Sequence, residues 1–297
     1  MRIHKDKYTR MLHAIAYVVI IGLSIACLLP FLLIISASLT SNESIIRDGY
    51  HLIPAQFSLE GYKTVFIFPD EVLRAYAVTA TTTAIGTILG LFFMTMAGYV
   101  LARKDFKYRN TFSFYIYFTT LFGGGLVPWY IMITKYLGLL DSYAVLVLPG
   151  LMTPFLIILM KNFIKSAVPE ELFDSGKIDG AGDFRIYWQI VLKLSMPGIA
   201  TVGLFLALYY WNDWFTSSLF INDTHKYQLQ FYLYNVINSA QFIAQMGAGT
   251  GVSLATEVPA ESTKMAMAIV VTGPILFLYP FVQRFFVKGL TIGAVKG

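Results

Sequence analysis

Apolar runs of membrane-spanning length alternate with polar segments along the chain, at about 12–39, 75–101, 111–134, 142–164, 195–218 and 264–286. A helix of roughly 20 apolar residues crosses the hydrocarbon core of a bilayer, so the pattern predicts an all-α membrane protein with six transmembrane helices. The first run follows Arg2, Lys5, Lys7 and Arg10. It is longer than the apolar core of a cleavable signal, and further spans follow, so it reads as an uncleaved first helix with a kink or hinge at Pro30. In the second run Gly86 and Gly90 make a small-xxx-small pair, which lets helix backbones approach closely. The third run contains Gly123, Gly124 and Gly125 before Pro128 and Trp129. Such a run is either a broken helix beside a pathway or a close-packing device, and the expectation is close packing.

Between the spans lie an acidic loop at 40–74, a basic loop at 102–110 and a short turn at 138–141. A mixed-charge segment occupies 165–193, and a long polar stretch at 219–263 includes an expected amphipathic helix near 227–243 on the outer surface. This divides the chain into an N-terminal segment (1–74), a core holding the other five expected spans (75–288) and a tail (289–297).

Composition agrees with the pattern. Hydrophobic residues make up 57% of the 297, charged residues only 13%, and mean hydropathy is +0.64, too oily for a soluble surface. The net charge of +5 reflects topology. Of the 22 Lys and Arg, 16 fall in the N-terminus, the loop 102–111, the segment 161–193 and the tail 284–297. The positive-inside rule places those segments, and both termini, in the cytoplasm. Cys27 is the single cysteine, and His4, His13, His51 and His225 are scattered, so neither a disulfide nor a metal constellation is expected. No G-x-x-x-x-G-K-[ST] string is present, and no nucleophile–base set suggests catalysis.

The mixed-charge segment has its own grammar. Pro169 suits a first helical position, with Glu170 and Glu171 in the first turn of the helix. Leu172, Phe173 and Gly176 share a face by their spacing. Gly180 and Gly182 stop the helix, and Asp183 is placed to cap a second one. A short amphipathic helix with an apolar face suits docking into a groove on another protein. Packing on its own bundle, or lying on headgroups, fits the periodicity equally.

Asp213 is the one acid assigned to a span. At about 1.5 Å per residue it lies roughly 24 Å beyond Pro197, in the outer part of the bilayer. It stands among Tyr209, Tyr210, Trp211, Asn212 and Trp214. One reading is an interfacial aromatic belt. The other is a carbohydrate path, in which ring faces stack on sugar C–H groups while amide and carboxylate groups hydrogen-bond the hydroxyls. Tyr209 and Asp213 fall on one face of a continuous helix.

The order Asp174-Ser175-Gly176-x-x-Asp179-Gly180-Ala181, then Ile190-x-Leu192, resembles the EAA loop of ABC importer permeases. Gly180 and Ile190 match in identity and spacing. Asp174, Ser175 and Gly176 stand where Glu-Ala-Ala is usual, and Lys193 where Pro is usual. The segment from Tyr279 to Gly297 is similar to the C-terminus of the maltose-type (MalG-like) carbohydrate permeases. The runs at 123–128 and 259–262 are similar to a subgroup associated with acidic or complex oligosaccharides, such as pectin or alginate fragments. The resemblance covers essentially the whole chain. It implies a type I ABC importer permease fold whose cytoplasmic coupling helix joins the fourth and fifth membrane helices. The residues implied for ATPase coupling are Leu172, Phe173, Asp174, Gly176, Gly180 and Ala181. The implied substrate pathway is Tyr209, Trp211, Asn212 and Asp213. The implied partners are a sister permease, two ATPase subunits that carry ATP and Mg, and an extracytoplasmic solute-binding protein, in a bacterial cell membrane. The implied substrate is an oligosaccharide, with neither a cofactor on this chain nor nucleic acid expected. An ion-coupled secondary transporter, which needs paired ionisable groups at mid-membrane, and a membrane scaffold are the alternatives.

Overall fold

The computed structural model describes residues 7–67, 69–250 and 261–275. Among them the chain is helical, and its one β-type pairing is an isolated bridge between Thr40 and Phe57. Two compact units form, one from 1–69 with 235–273 and the other from 70–234 with 274–297.

In the first unit, α1 (Lys7–Ser38) runs unbroken through Pro30. Its stretch Met11–Ser38 is long and apolar enough to cross a membrane, and its residues from Met11 to Leu32 are exposed, as expected of a helix solvated by lipid, while Ser36, Ala37 and Ser38 at its end are buried. Two short helices follow, α2 (Asn42–Asp48) and α3 (Glu60–Val65). Ser41 caps α2 by accepting from the Ser44 N–H. The Tyr62 and Ser38 hydroxyls lie 2.9 Å apart, joining α3 to the end of α1. Residues 261–275 are helical, and their start is held here. Asn42 Oδ1 accepts from the Glu261 N–H (2.9 Å), and Tyr50 donates to Glu261 Oε2 (2.9 Å). Lys264, and then Tyr50, hold the Glu261 carboxyl below its ordinary range. The sixth expected span extends past residue 275, outside the described residues, as does the whole C-terminal tail.

The second unit is built on α4 (Pro69–Ala102), an apolar helix that also passes the length test for a span. The remaining expected spans are bent pairs. The first is α5 (Arg109–Leu121) followed by α6 (Leu126–Ile131), which runs into a π-helical turn at Met132–Tyr136, bent by 113°. This corrects the expectation for the glycine run. A Cβ on Gly123 would meet nothing within 4 Å, and Gly125 has φ +88°, so the glycines break the helix rather than pack it. Next come 3₁₀ turns at Tyr143–Leu146 and Leu148–Gly150 and then α7 (Pro154–Ala167), bent by 48°. The polar segment forms α8 (Glu170–Ile178) and α9 (Asp183–Ile186). A π-helical turn at Tyr187–Val191 leads from α9 into α10 (Leu192–Leu194). Then α11 (Met196–Trp211) departs at 83°, and α12 (Phe215–Phe220) is separate from it. The amphipathic stretch is indeed helical, as α13 (Leu229–Thr250). In all, two described helices are long and apolar enough to span by themselves, and up to five if each bent pair counts as one.

The main core joins α4, α7, α9–α10 and α11 through Met94, Met160, Ile164, Val191, Val202 and Leu206, all essentially buried. The Gly86/Gly90 pair packs as its spacing predicts. A Cβ on Gly86 would lie 2.4 Å from the Tyr210 ring, and one on Gly90 2.4 Å from Leu206 Cδ2. Tyr210 is itself pinned, donating to the Val147 carbonyl at 2.7 Å. A buried polar knot ties α4 to α12 and α13. Ser217 donates to Gln228 Oε1 (2.8 Å), Gln228 reaches Thr82, and the Leu229 N–H donates to Thr79 Oγ1 (2.8 Å). Overpacking a well-filled contact costs roughly 1–3 kcal/mol. Gly86→Ile should therefore lower the thermal midpoint of the detergent-purified protein clearly, whereas Gly123→Ala should leave it unchanged within a degree or so.

Candidate functional site

The polar segment leaves the membrane helices as α8, and its end is determined by Gly180. The Gly180 N–H donates to the Lys177 carbonyl (3.0 Å) and the Ala181 N–H to the Gly176 carbonyl (2.9 Å), a Schellman closure. This places Gly180 at φ +74°, with open space where a Cβ would be. Gly180 is thus required by its backbone, not by crowding. The helix starts one residue later than expected. Pro169 is the N-cap, with Glu170 and Glu171 in the first turn. Gly182, not Asp183, occupies the N-cap of α9, and Asp183 sits in its first turn.

The orientation of α8 follows the second of the two readings, packing of the apolar face on its own bundle. Phe173 is 9% exposed, 5.9 Å from the Tyr99 ring, and Gly176 faces Ile186, whose Cγ1 would lie 3.2 Å from an added Cβ. These two positions seat the helix on its own bundle. Leu172 is 36% exposed at the edge, while Asp174 and Gly180 are fully on the surface and Ala181 is half-buried. The outward face has Ile178 at its centre, 86% exposed, with Phe184 and Trp188 exposed on the following turn. Sequence reasoning missed these three apolar residues. Ile178 is the legible one, an aliphatic residue amid Lys177, Asp179 and Gly180.

A second missed feature clamps the segment to α4. Arg103, buried just past the end of α4, donates from Nε to Asp105 Oδ1 (2.7 Å) and from Nη1 to the Tyr99 hydroxyl (2.8 Å), and pairs with Asp183. Lys177 of α8 reaches the same Asp105 at 2.7 Å. Arg103, followed by Lys177, holds the Asp105 carboxyl well below the usual carboxylate range. Tyr99 continues inward to Tyr187 (ring centroids 5.8 Å), whose hydroxyl lies 2.7 Å from Thr95 Oγ1. Lys104 pairs with Glu170 at the opposite end of α8.

The second candidate region lies at the far end of α11. The helix stops at Trp211, so Tyr209 and Asp213 do not share a continuous helical face as expected. Asp213 is half-buried, and its Oδ1 accepts from the Thr216 N–H at 3.0 Å in the first turn of α12. Asn212 is exposed. Its amide donates to the Leu208 carbonyl (2.9 Å), and its Oδ1 accepts from Gln230 (3.3 Å). Tyr209 is half-exposed, and the Trp211 ring is 6.4 Å from Tyr76 of α4. Rings from other helices meet here. Trp214 stacks on Tyr234 (5.2 Å), and Phe215 lies parallel to Trp129 (6.4 Å). Tyr76, Trp129, Gln230 and Tyr234 were not anticipated, because they come from other elements, α4, α6 and, for the last two, α13.

The chain belongs to the family of binding-protein-dependent transport system inner membrane components, whose model matches residues 94–292. That span holds the whole of α8 through α13. The family is a membrane-embedded transport component, not an enzyme. The chain is 37% identical over 97% of its length to the polygalacturonan/rhamnogalacturonan transport system permease protein YtcP of Bacillus subtilis, covering 99% of that protein. It is 38% identical over 99% of its length to Protein LplC of the same organism, covering 98% of it. Among solved structures it is similar to a bacterial ABC transporter involved in the import of the acidic polysaccharide alginate. The TM-score is 0.79 and the identity 26%, over 95% of this chain and 98% of that one.

Because only glycine adopts the left-handed conformation freely, Gly180→Val should cost roughly 1–3 kcal/mol locally and unwind the end of α8, while Gly180→Asn should cost less. Protease accessibility of the α8–α9 turn in the purified protein measures this. The pH dependence of the clamp follows from the lowered Asp105 value. A depressed carboxyl contributes stability fully above its unfolded pKa, about 3.9, and loses it as pH falls through the lower folded value. Amide exchange at α8 should therefore be insensitive to pH-driven release of Asp105 down to about pH 4.

Proposed function

We propose that this chain is the permease subunit of an ATP-driven carbohydrate importer, and that α8 is its coupling helix. The carrying observation is mechanical. A short helix offers Leu172, Asp174 and Ile178 outward, while Phe173, Arg103 and Lys177 brace it against the end of α4 and Gly176 seats it on Ile186 of α9. Gly180 and Ala181 fix its end. Force applied at the exposed face is delivered to α4 and α11, which share the main core. The family and the lack of a P-loop string in the sequence support ATP and Mg being held by two separate ATPase subunits. A sister permease and an extracytoplasmic solute-binding protein complete the assembly, in alternating access across a bacterial cell membrane. The charge asymmetry supports cytoplasmic termini and a cytoplasmic α8. The six-span count rests on each bent pair crossing once, and on a sixth span beginning near 264. Functionally, an N-terminal segment (1–74) precedes the permease core (75–288) and a cytoplasmic tail (289–297).

The substrate is an oligosaccharide, and the relatives support a complex or acidic one. The path is lined by Tyr209, Trp211, Asn212 and Asp213, with Tyr76 and Trp214 extending the ring surface. Asp213 already spends one oxygen on α12, so its second oxygen, with Asn212, offers the polar contacts.

Ile178→Asp should reduce substrate-stimulated ATP hydrolysis by the reconstituted importer about tenfold, roughly 1.4 kcal/mol of coupling, with membrane insertion unchanged. Full stimulation, or an α8 cysteine that crosslinks only from the outer side, would refute the coupling assignment. Trp211→Ala should raise the half-saturating substrate concentration about tenfold, a stacking loss of roughly 1–2 kcal/mol, while unstimulated ATPase activity stays constant.

A further inference from the structure

A cavity of about 460 Å³ opens beside the root of α8, walled by the end of α4, the first turn of α5, α7 and the start of α8. Lys104, Arg109, Lys161 and Lys165 line it, together with Glu170 and Glu171. Lys104 is neutralised by Glu170. Among the described residues, the other three cations have no carboxylate partner. Lys161 Nζ donates to the neutral Ser113 hydroxyl (2.8 Å), and Arg109 Nη1 reaches the Arg103 carbonyl (3.4 Å). Lys161 and Lys165 are one helical turn apart on α7, where like charges repel. The fold thus holds four cations against two carboxylates around one space, partly out of water, and Arg109, Lys161 and Lys165 are paired with neither carboxylate. In the first turn of α5 the Arg109 and Phe112 N–H groups are taken by the Phe106 and Tyr108 carbonyls, which leaves those of Asn110 and Thr111 without an intrahelical carbonyl.

A second feature points to the ligand. α5 packs against α7, yet none of its residues is buried. Phe112, Phe114, Tyr115 and Phe118 lie exposed along it, running away from Arg109. Cations at one end of an open apolar helix match an amphiphile with an anionic head, and basic pockets between membrane helices on the cytoplasmic side bind such headgroups. We propose that this cavity binds a phosphate group, presented by the headgroup of an anionic phospholipid whose tails lie along α5. Guanidinium and ammonium groups together suit a phosphodiester, Arg giving a planar fork and Lys a point charge. The proposal rests on the importer reading for its cytoplasmic orientation and for the complex tested, but its readout needs no ATP, so its failure is distinguishable from failure of the coupling assignment.

The test is lipid retention by the intact importer, purified with all its subunits in neutral detergent and measured by native mass spectrometry. Phosphatidylglycerol and phosphatidylcholine are supplied in equal amounts. The wild type should retain phosphatidylglycerol about fivefold over phosphatidylcholine, and Lys161→Gln/Lys165→Gln should erase the preference. Lys193→Gln, a surface cation of the same segment outside the cavity, should preserve it. Arg109→Gln provides an independent variant should the double change fail to assemble, and it should weaken retention in the same direction. Inorganic phosphate at about 10 mM should displace little of the bound lipid, because it lacks the tails. No preference in the wild type, a preference that survives both cavity variants, or equal loss in Lys193→Gln would each overturn the site. Binding of inorganic phosphate without phosphatidylglycerol retention would overturn the lipid assignment.

Discussion

One buried guanidinium joins the water-exposed segment to the membrane helices. Arg103 sits where α4 ends, and its donors are divided among Asp105, Asp183 and Tyr99. A planar group with five donors organises several acceptors at fixed angles, which a lysine does not do. Because Lys177 shares Asp105, α8 and α9 are both tied to the same point. Removing one partner from such a cluster leaves a desolvated charge behind, so the cluster resists partial opening. The aromatic stack of Phe173, Tyr99 and Tyr187 backs it on the apolar side. Rigid-body transmission between the exposed segment and the helix core depends on this joint.

The features legible in the sequence were those written in short-range pattern. Hydropathy located α1, α4 and the apolar arms of the bent pairs, because burial in lipid demands long runs. The stop at Gly180 was legible because a left-handed cap almost dictates its residue. The helix near 229–250 was visible in its amphipathic spacing. Two kinds of information were not local. Which face of α8 turns inward is decided by Tyr99, far away in the chain, and by Ile186 beyond the Gly180 turn, so the periodicity that grouped Leu172, Phe173 and Gly176 left the direction open. The Arg103 joint looked like part of a basic loop, since its partner Asp183 lies in another segment. The bends were also hidden. Hydropathy reads the apolar residues on either side of a break as one span, and the face argument for Tyr209 and Asp213 failed because α11 ends at Trp211.

The aromatic region at the far end of α11 is likewise a tertiary product. Trp211 and Trp214 come from adjacent turns, but their ring partners Tyr76 and Tyr234 come from α4 and α13. Its polar groups are partly committed to the fold, Asp213 to α12 and Asn212 to Leu208 and Gln230. Such commitment fixes their orientation and lowers the entropy lost on binding a ligand.

The sharp turn at Gly123–Gly125 has a consequence for hydration. A backbone that reverses direction by 113° releases peptide groups from helical pairing at a depth where hydrocarbon offers them no partner. Each amide left bare in that medium is worth several kcal/mol. The corner therefore requires solvent molecules or neighbouring protein around it at the level of those three glycines.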